Sequence, residues 1–143
     1  MLMPEALSTP RNRTLTFVFL AICCAFAAAA VVVGISDNPP AILLAFGAAA
    51  ALVLAFVHPW RTAKQFGRLL SASVLGLVVF GILHHAYAGL AGEATSAGEP
   101  PMLLQGLGVV AFLLAFLICP TAILVGALGS VVMLIRNRRG PPQ

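Results

Sequence analysis

Four long stretches of the chain carry no charged residue: Thr14 to Ile35, Pro40 to Val57, Leu69 to Ala88 and Met102 to Ile135. About 20 apolar residues in a helix cross the hydrocarbon core of a bilayer, so each stretch predicts a membrane span. None of them alternates apolar and polar residues as a lipid-facing barrel strand does, and an unsatisfied backbone is too costly in lipid for any open structure. The expected fold is all-α: an integral membrane four-helix bundle with antiparallel, up-and-down connectivity. The four spans, at about 14–35, 40–57, 69–88 and 102–135, leave only tails at 1–13 and 136–143 and short links, so residues 1–143 read as a single transmembrane domain.

The first span has a rival reading. Arg11 and Arg13 precede an apolar stretch that reaches Ala25-Phe26-Ala27, which looks like a signal-peptide cleavage site. The apolar run continues through Val31-Val32-Val33 to Ile35, long enough to span, and a retained helix is the expectation.

Composition agrees with the pattern. Of 143 residues, 61% are hydrophobic and 8% charged, with a mean hydropathy of +1.05; a soluble domain carries about 25% charged residues. The eight basic residues fall in three groups: Arg11 and Arg13 before the first span, Arg61, Lys64 and Arg68 between the second and third, and Arg136, Arg138 and Arg139 after the fourth. The other two connections hold Asp37, Glu93 and Glu99 and no Lys or Arg. Basic residues are retained on the inner side of a membrane, which predicts cytoplasmic N and C termini and a multi-pass protein of the cell inner membrane. The net charge of +4 thereby reads as topology and contact with lipid headgroups, and nucleic acid is not an expected partner. Seven Arg to one Lys, with abundant Ala and Gly, suggests a bacterial source.

Within this frame the links have clear local chemistry. Ser36-Asp37-Asn38-Pro39-Pro40 predicts a tight turn and helix start, making the first two helices neighbours. In His58-Pro59-Trp60-Arg61, proline ends the second helix and Trp60 and Arg61 are expected as interface anchors, as are Arg136, Arg138 and Arg139. The link Gly89 to Pro101 is the longest and is expected to be a loop. The fourth run, 34 residues, is longer than a bilayer core requires, and Pro120 predicts a bend around Phe116 to Pro120.

One stripe of mostly small residues recurs along the fourth helix at spacings of three and four: Gln105, Gly108, Phe112, Ala115, Cys119, Ala122, Gly126, Gly129 and Met133. Lipid offers no hydrophobic drive between helices, so close association relies on small residues that admit a neighbouring backbone. Gly108, Ala115, Cys119, Ala122, Gly126 and Gly129 are therefore the expected packing seam. Shorter stripes mark the first helix (Thr16, Leu20, Cys23, Ala27, Ala30, Gly34), the second (Ala48, Ala51, Ala55, His58) and the third (Ser73, Gly76, Phe80, His84, Tyr87).

Catalytic chemistry has little to stand on. No Asp, Glu, Lys or Arg lies in a span, Ser71, Ser73 and Thr121 have no paired base, and no phosphate-cradling glycine loop or nucleophile elbow occurs. The expectation is a non-enzyme. Cys23, Cys24 and Cys119 lie within spans and read as small apolar residues. His84 and His85 are adjacent and project about 100° apart, so a regular helix cannot aim both rings at one site. His84, on the small stripe with Tyr87, is the candidate for a cofactor contact; no metal site and no resident cofactor are expected.

The leading functional expectation is a non-catalytic accessory or scaffolding subunit, packing through small-residue helix faces against partner subunits or its own copies in the lipid bilayer. The alternatives are a small transporter or channel for an uncharged or lipophilic solute, lined by Ser73, His84, Tyr87 and Gln105, and a haem- or quinone-holding anchor using His84.

Overall fold

The computed structural model describes residues 7–34, 38–95 and 102–138, and its regular structure there is entirely helical. Four helices are long and apolar enough to cross a membrane. They are α1 (Pro10–Val33), α2 (Pro39–Val57), α3 (Ala63–Thr95) and α4 (Met102–Arg138), the last containing a π-helical turn at Leu114–Ile118. The chain is a small multi-pass membrane protein.

The helix starts follow from capping chemistry. Thr9 caps α1 by accepting the Asn12 N–H at 3.2 Å, and Pro10 takes the first helical position, where a missing N–H costs nothing. At the start of α3, Gln65 Oε1 accepts the Thr62 N–H at 3.2 Å while Thr62 Oγ1 accepts the Gln65 N–H at 3.3 Å. That is a reciprocal capping box, carried by Thr62-Ala63-Lys64-Gln65. At the other end of α1, Gly34 adopts φ +86°, a conformation that side chains disfavour, and its N–H reaches Ala30 O at 3.1 Å. Asn38 Nδ2 then donates to Val33 O at 3.2 Å, so the residue before α2 closes the last turn of α1.

Packing pairs the helices antiparallel. Thr16 near the start of α1 meets Ala55 near the end of α2, and Phe26 meets Gly47 further along. Phe66 and Leu70 near the start of α3 meet Gly126 and Gly129 in α4, Gly76 meets Cys119, and Tyr87 meets Gly108. The two hairpins join where α2 lies on the π turn and second half of α4, and among the described helices α1 packs only on α2. The spatial order is therefore α1, α2, α4, α3. The shared core sits at one end of this row: Val53 and Val57 of α2, Trp60 of the link, Phe66 of α3 and Ala122 of α4.

That same end carries the cations. The start of α1, the α2–α3 link and the end of α4 lie together there, bringing Arg11, Arg13, Arg61, Lys64, Arg68, Arg136 and Arg138 to one side. Arg139, Asp37 and Glu99 lie outside the described residues, as does the Glu93 side chain.

Two sequence expectations change. The stretch from Gly89 to Thr95, expected as loop, continues α3, whose 33 residues extend about 50 Å; Ala88, Leu90, Ala91 and Ala94 are good helix formers that outweigh two glycines. The irregularity in α4 lies at Leu114–Ile118 and takes the form of a π turn, with Cys119 N–H bonded to Leu114 O. Proline at 120 removes a donor and crowds the carbonyl four residues earlier, and widening the preceding turn relieves both. Thr121 Oγ1 donates to Leu117 O at 2.7 Å just past the turn.

Candidate functional site

Close approach of α3 and α4 depends on missing side chains. A Cβ at Gly126 would sit 3.0 Å from Leu70 N and 3.1 Å from Phe66 O, which is backbone contact. At Gly129 it would collide with the Phe66 ring. One at Gly108 would lie 3.6 Å from Tyr87 Cβ. Cys119 Sγ stands 3.2 Å from where a Gly76 Cβ would be. Ala115, Cys119 and Ala122 are all buried, as are Ala48, Ala51 and Ala55 on α2. The α4 stripe is thus occupied within the chain by α3 on one side and α2 on the other.

Two hydroxyls at the helix interfaces, Ser73 and Thr121, are satisfied locally, whereas Ser130 Oγ on α4 is buried with no hydrogen-bond partner. Ser73 donates to Leu69 O and Thr121 to Leu117 O, each at 2.7 Å, returning to the carbonyl four residues earlier. Ser73 does not share a cavity with His84, Tyr87 and Gln105, so the four polar residues expected to line one path are not brought together.

The interface anchors separate. Trp60 is only 3% exposed and packs edge-on against Phe66, with ring centroids 5.5 Å apart at 71°. It is a core residue between the hairpins rather than a headgroup contact, because the link turns it inward under Phe66. Arg61 is exposed but curls back, its Nη1 donating to His58 O at 3.3 Å and Trp60 O at 3.2 Å. A cation there satisfies carbonyls that the end of α2 leaves open. Arg136 and Arg138 are exposed in the last turn of α4, and Arg139 falls outside the described residues.

Of the histidines, His84 is the one set into a cavity. Its Nδ1 lies 3.1 Å from Gly108 O across the α3–α4 interface. A carbonyl only accepts, so Nδ1 carries the proton, and in the neutral ring Nε2 is left as an acceptor. The ring stands 5.2 Å from Phe112, which stacks on Phe116 at 4.6 Å. The adjoining cavity, about 290 Å³, is lined by His84, Tyr87, Leu104, Gln105, Gly108 and Phe112 among others. His85 is exposed, its ring centroid 5.5 Å from that of His84.

His58 makes a different arrangement. Its Nδ1 faces Ala55 O at 3.1 Å, its ring lies 6.0 Å from Phe19, and Nε2 is buried with no hydrogen-bond partner. The sequence marks this helix end through Pro59, which stands four residues after Ala55 and leaves that carbonyl without its helical donor, but assigns His58 no partner. A second cleft, about 260 Å³ and apolar, separates Ala27 and Ala30 of α1 and Ala45 and Ala48 of α2 from Leu113 and Leu117 of α4. Among the described residues no group of three or more His, Cys, Asp and Glu side chains is placed to hold a metal ion.

Comparison with protein-family models, with curated proteins and with solved structures finds no match.

Proposed function

We propose that this protein is a non-catalytic subunit of a membrane assembly, held laterally against partner subunits or further copies of itself by the outer faces of α1 and α3. The observation that carries the reading is the open row α1, α2, α4, α3: the two outer helices each have one neighbour. The apolar window of α1 is 11% buried, as is that of α3, against 44% for α2. Lipid can cover such faces, but α3 also presents the exposed imidazole of His85 one turn from the end of its apolar run, and a polar ring at that depth is better satisfied by a protein neighbour. Open space stands over Gly81 and Gly89 on the same half of α3, where a second helix can approach.

The segregation of cations to one end supports an orientation with that end, and both chain termini, in the cytoplasm of a bacterial inner membrane. Isolation of the native assembly in mild detergent, followed by native mass spectrometry, tests the subunit reading. A stable higher oligomer or a stoichiometric membrane partner is the expected result. A monomer with no companion at native expression level overturns it.

A further inference from the structure

The cleft beside His84 has a ligand chemistry of its own, independent of whether the chain has protein partners. Three observations define it. The space, about 290 Å³, is at the low end of small-molecule pockets and suits one ring rather than a porphyrin. Phe112, backed by Phe116, supplies an aromatic wall, while Val109 and Phe112 are exposed and leave the cleft open to the bilayer. The third observation is the 3.1 Å contact of His84 Nδ1 with Gly108 O, from which the tautomer follows. With Nδ1–H given to Gly108 O, neutral His84 offers only a lone pair at Nε2, so the complementary ligand is a hydrogen-bond donor.

We propose that this cleft binds a lipophilic phenol or hydroquinone, with its ring against Phe112 and its hydroxyl donating to His84 Nε2. Tyr87 and Gln105, which also line the cleft, can engage a second oxygen on the ring. A ligand bearing only carbonyls or ethers lacks the donor this imidazole requires. Selection for O–H over O–CH3 is thus the signature of the site, since the ether carries no hydrogen for Nε2 and leaves that acceptor without its bond.

The test uses the full chain in lipid nanodiscs with ¹⁵N-labelled histidine, titrated with 4-pentylphenol and with its methyl ether, 4-pentylanisole, against empty nanodiscs. The phenol should shift the His84 Nε2 resonance saturably and bind roughly tenfold more tightly than the ether, the effect of one hydrogen bond in a dry site. His84→Phe should abolish that preference. Val109→Trp, at a position 57% exposed and so of little consequence for folding, should fill the cleft and remove saturable binding of both compounds. Equal binding of phenol and ether to the wild-type chain overturns the proposal and makes the cleft an acyl-chain seam. Phenol binding undiminished by Val109→Trp overturns it as well.

Discussion

Thr16 on α1 donates its hydroxyl to the carbonyl of Ala55 on α2 at 3.2 Å, and that carbonyl has no helical donor because residue 59 is proline. His58 Nδ1 meets the same oxygen at 3.1 Å. A proline that ends one helix thereby creates the acceptor that fastens a neighbouring helix to it. Thr16 is 3% exposed, so water cannot replace the bond.

Thr16→Val keeps the shape of the side chain and removes the donor. It should destabilise the α1–α2 hairpin by about 1 kcal/mol, the scale of an interhelical hydrogen bond in a membrane, while Thr16→Ser should be close to wild type. Steric-trapping measurements of unfolding in bicelles read the difference. In a Pro59→Ala background, where residue 59 regains an N–H for Ala55 O, the cost of Thr16→Val should fall by about half. An unchanged cost there would show that the proline does not create the acceptor.

The glycine seam makes a sharper contrast. At Gly126 the atoms a methyl group would meet are Leu70 N and Phe66 O, so relief requires moving α3 as a whole. Gly126→Ala should cost on the order of 1–3 kcal/mol, as overpacking does. Gly106→Ala, four residues into the same helix with nothing within 4 Å of its Cβ, should be neutral or slightly stabilising. Thermal unfolding of the two variants, followed by loss of helical circular dichroism, separates them. Equal effects would mean that helix propensity and not the approach of α3 governs both.

Much of this architecture is legible in the sequence because a bilayer leaves so few options. Length and apolarity alone specify four helices, and the recurrence of small residues picks out the face of α4 that lies between α2 and α3. The capping box and the spatial order are different matters. Thr62-Ala63-Lys64-Gln65 is a readable start signal overshadowed by the basic residues around it, and it moves the start of α3 well before Leu69. Trp60 carries the composition of an interface residue and the contacts of a core one, a distinction that only the fold of the link can make. The placement of α2 against α4 and not α3 is not legible, because the stripe of Ala48, Ala51 and Ala55 marks a close-packing face without marking its partner and α2 is apolar on every side. His84 was visible as a candidate, but its tautomer depends on Gly108 of another helix, and a backbone carbonyl has no sequence signature.

The register of α3 against α4 at the end remote from the cations is open to direct chemistry. A Cβ at Gly108 would lie 3.6 Å from Tyr87 Cβ, within the 3.5–4.5 Å range typical of disulfides. Tyr87→Cys with Gly108→Cys, in a chain whose Cys23, Cys24 and Cys119 are replaced by alanine, should oxidise to an intramolecular disulfide with copper phenanthroline. Mass spectrometry before and after reduction detects it. Moving one partner to Val109, which turns the side chain about 100° round the helix, should abolish the cross-link. Efficient cross-linking from Val109 would place α4 in a different rotation and would dissolve the His84 to Gly108 bond with it.

Orientation across the membrane rests on the distribution of charge. Seven described cations share one end of the row, while Gly92 is exposed at the opposite end of α3. Basic residues near span ends resist translocation, so the end with Lys64 should face the cytoplasm and Gly92 the outside. Single cysteines at Gly92 and Lys64, in the cysteine-free chain, discriminate the two faces. In intact cells a membrane-impermeant maleimide should label Gly92→Cys, and should reach Lys64→Cys only after permeabilisation. Losing the one charge at Lys64 leaves seven of eight basic residues in place, too small a change to invert four helices. The reverse labelling pattern would put the cations outside, against the retention rule, and would open the His84 cleft toward the cytoplasmic leaflet instead of the outer one.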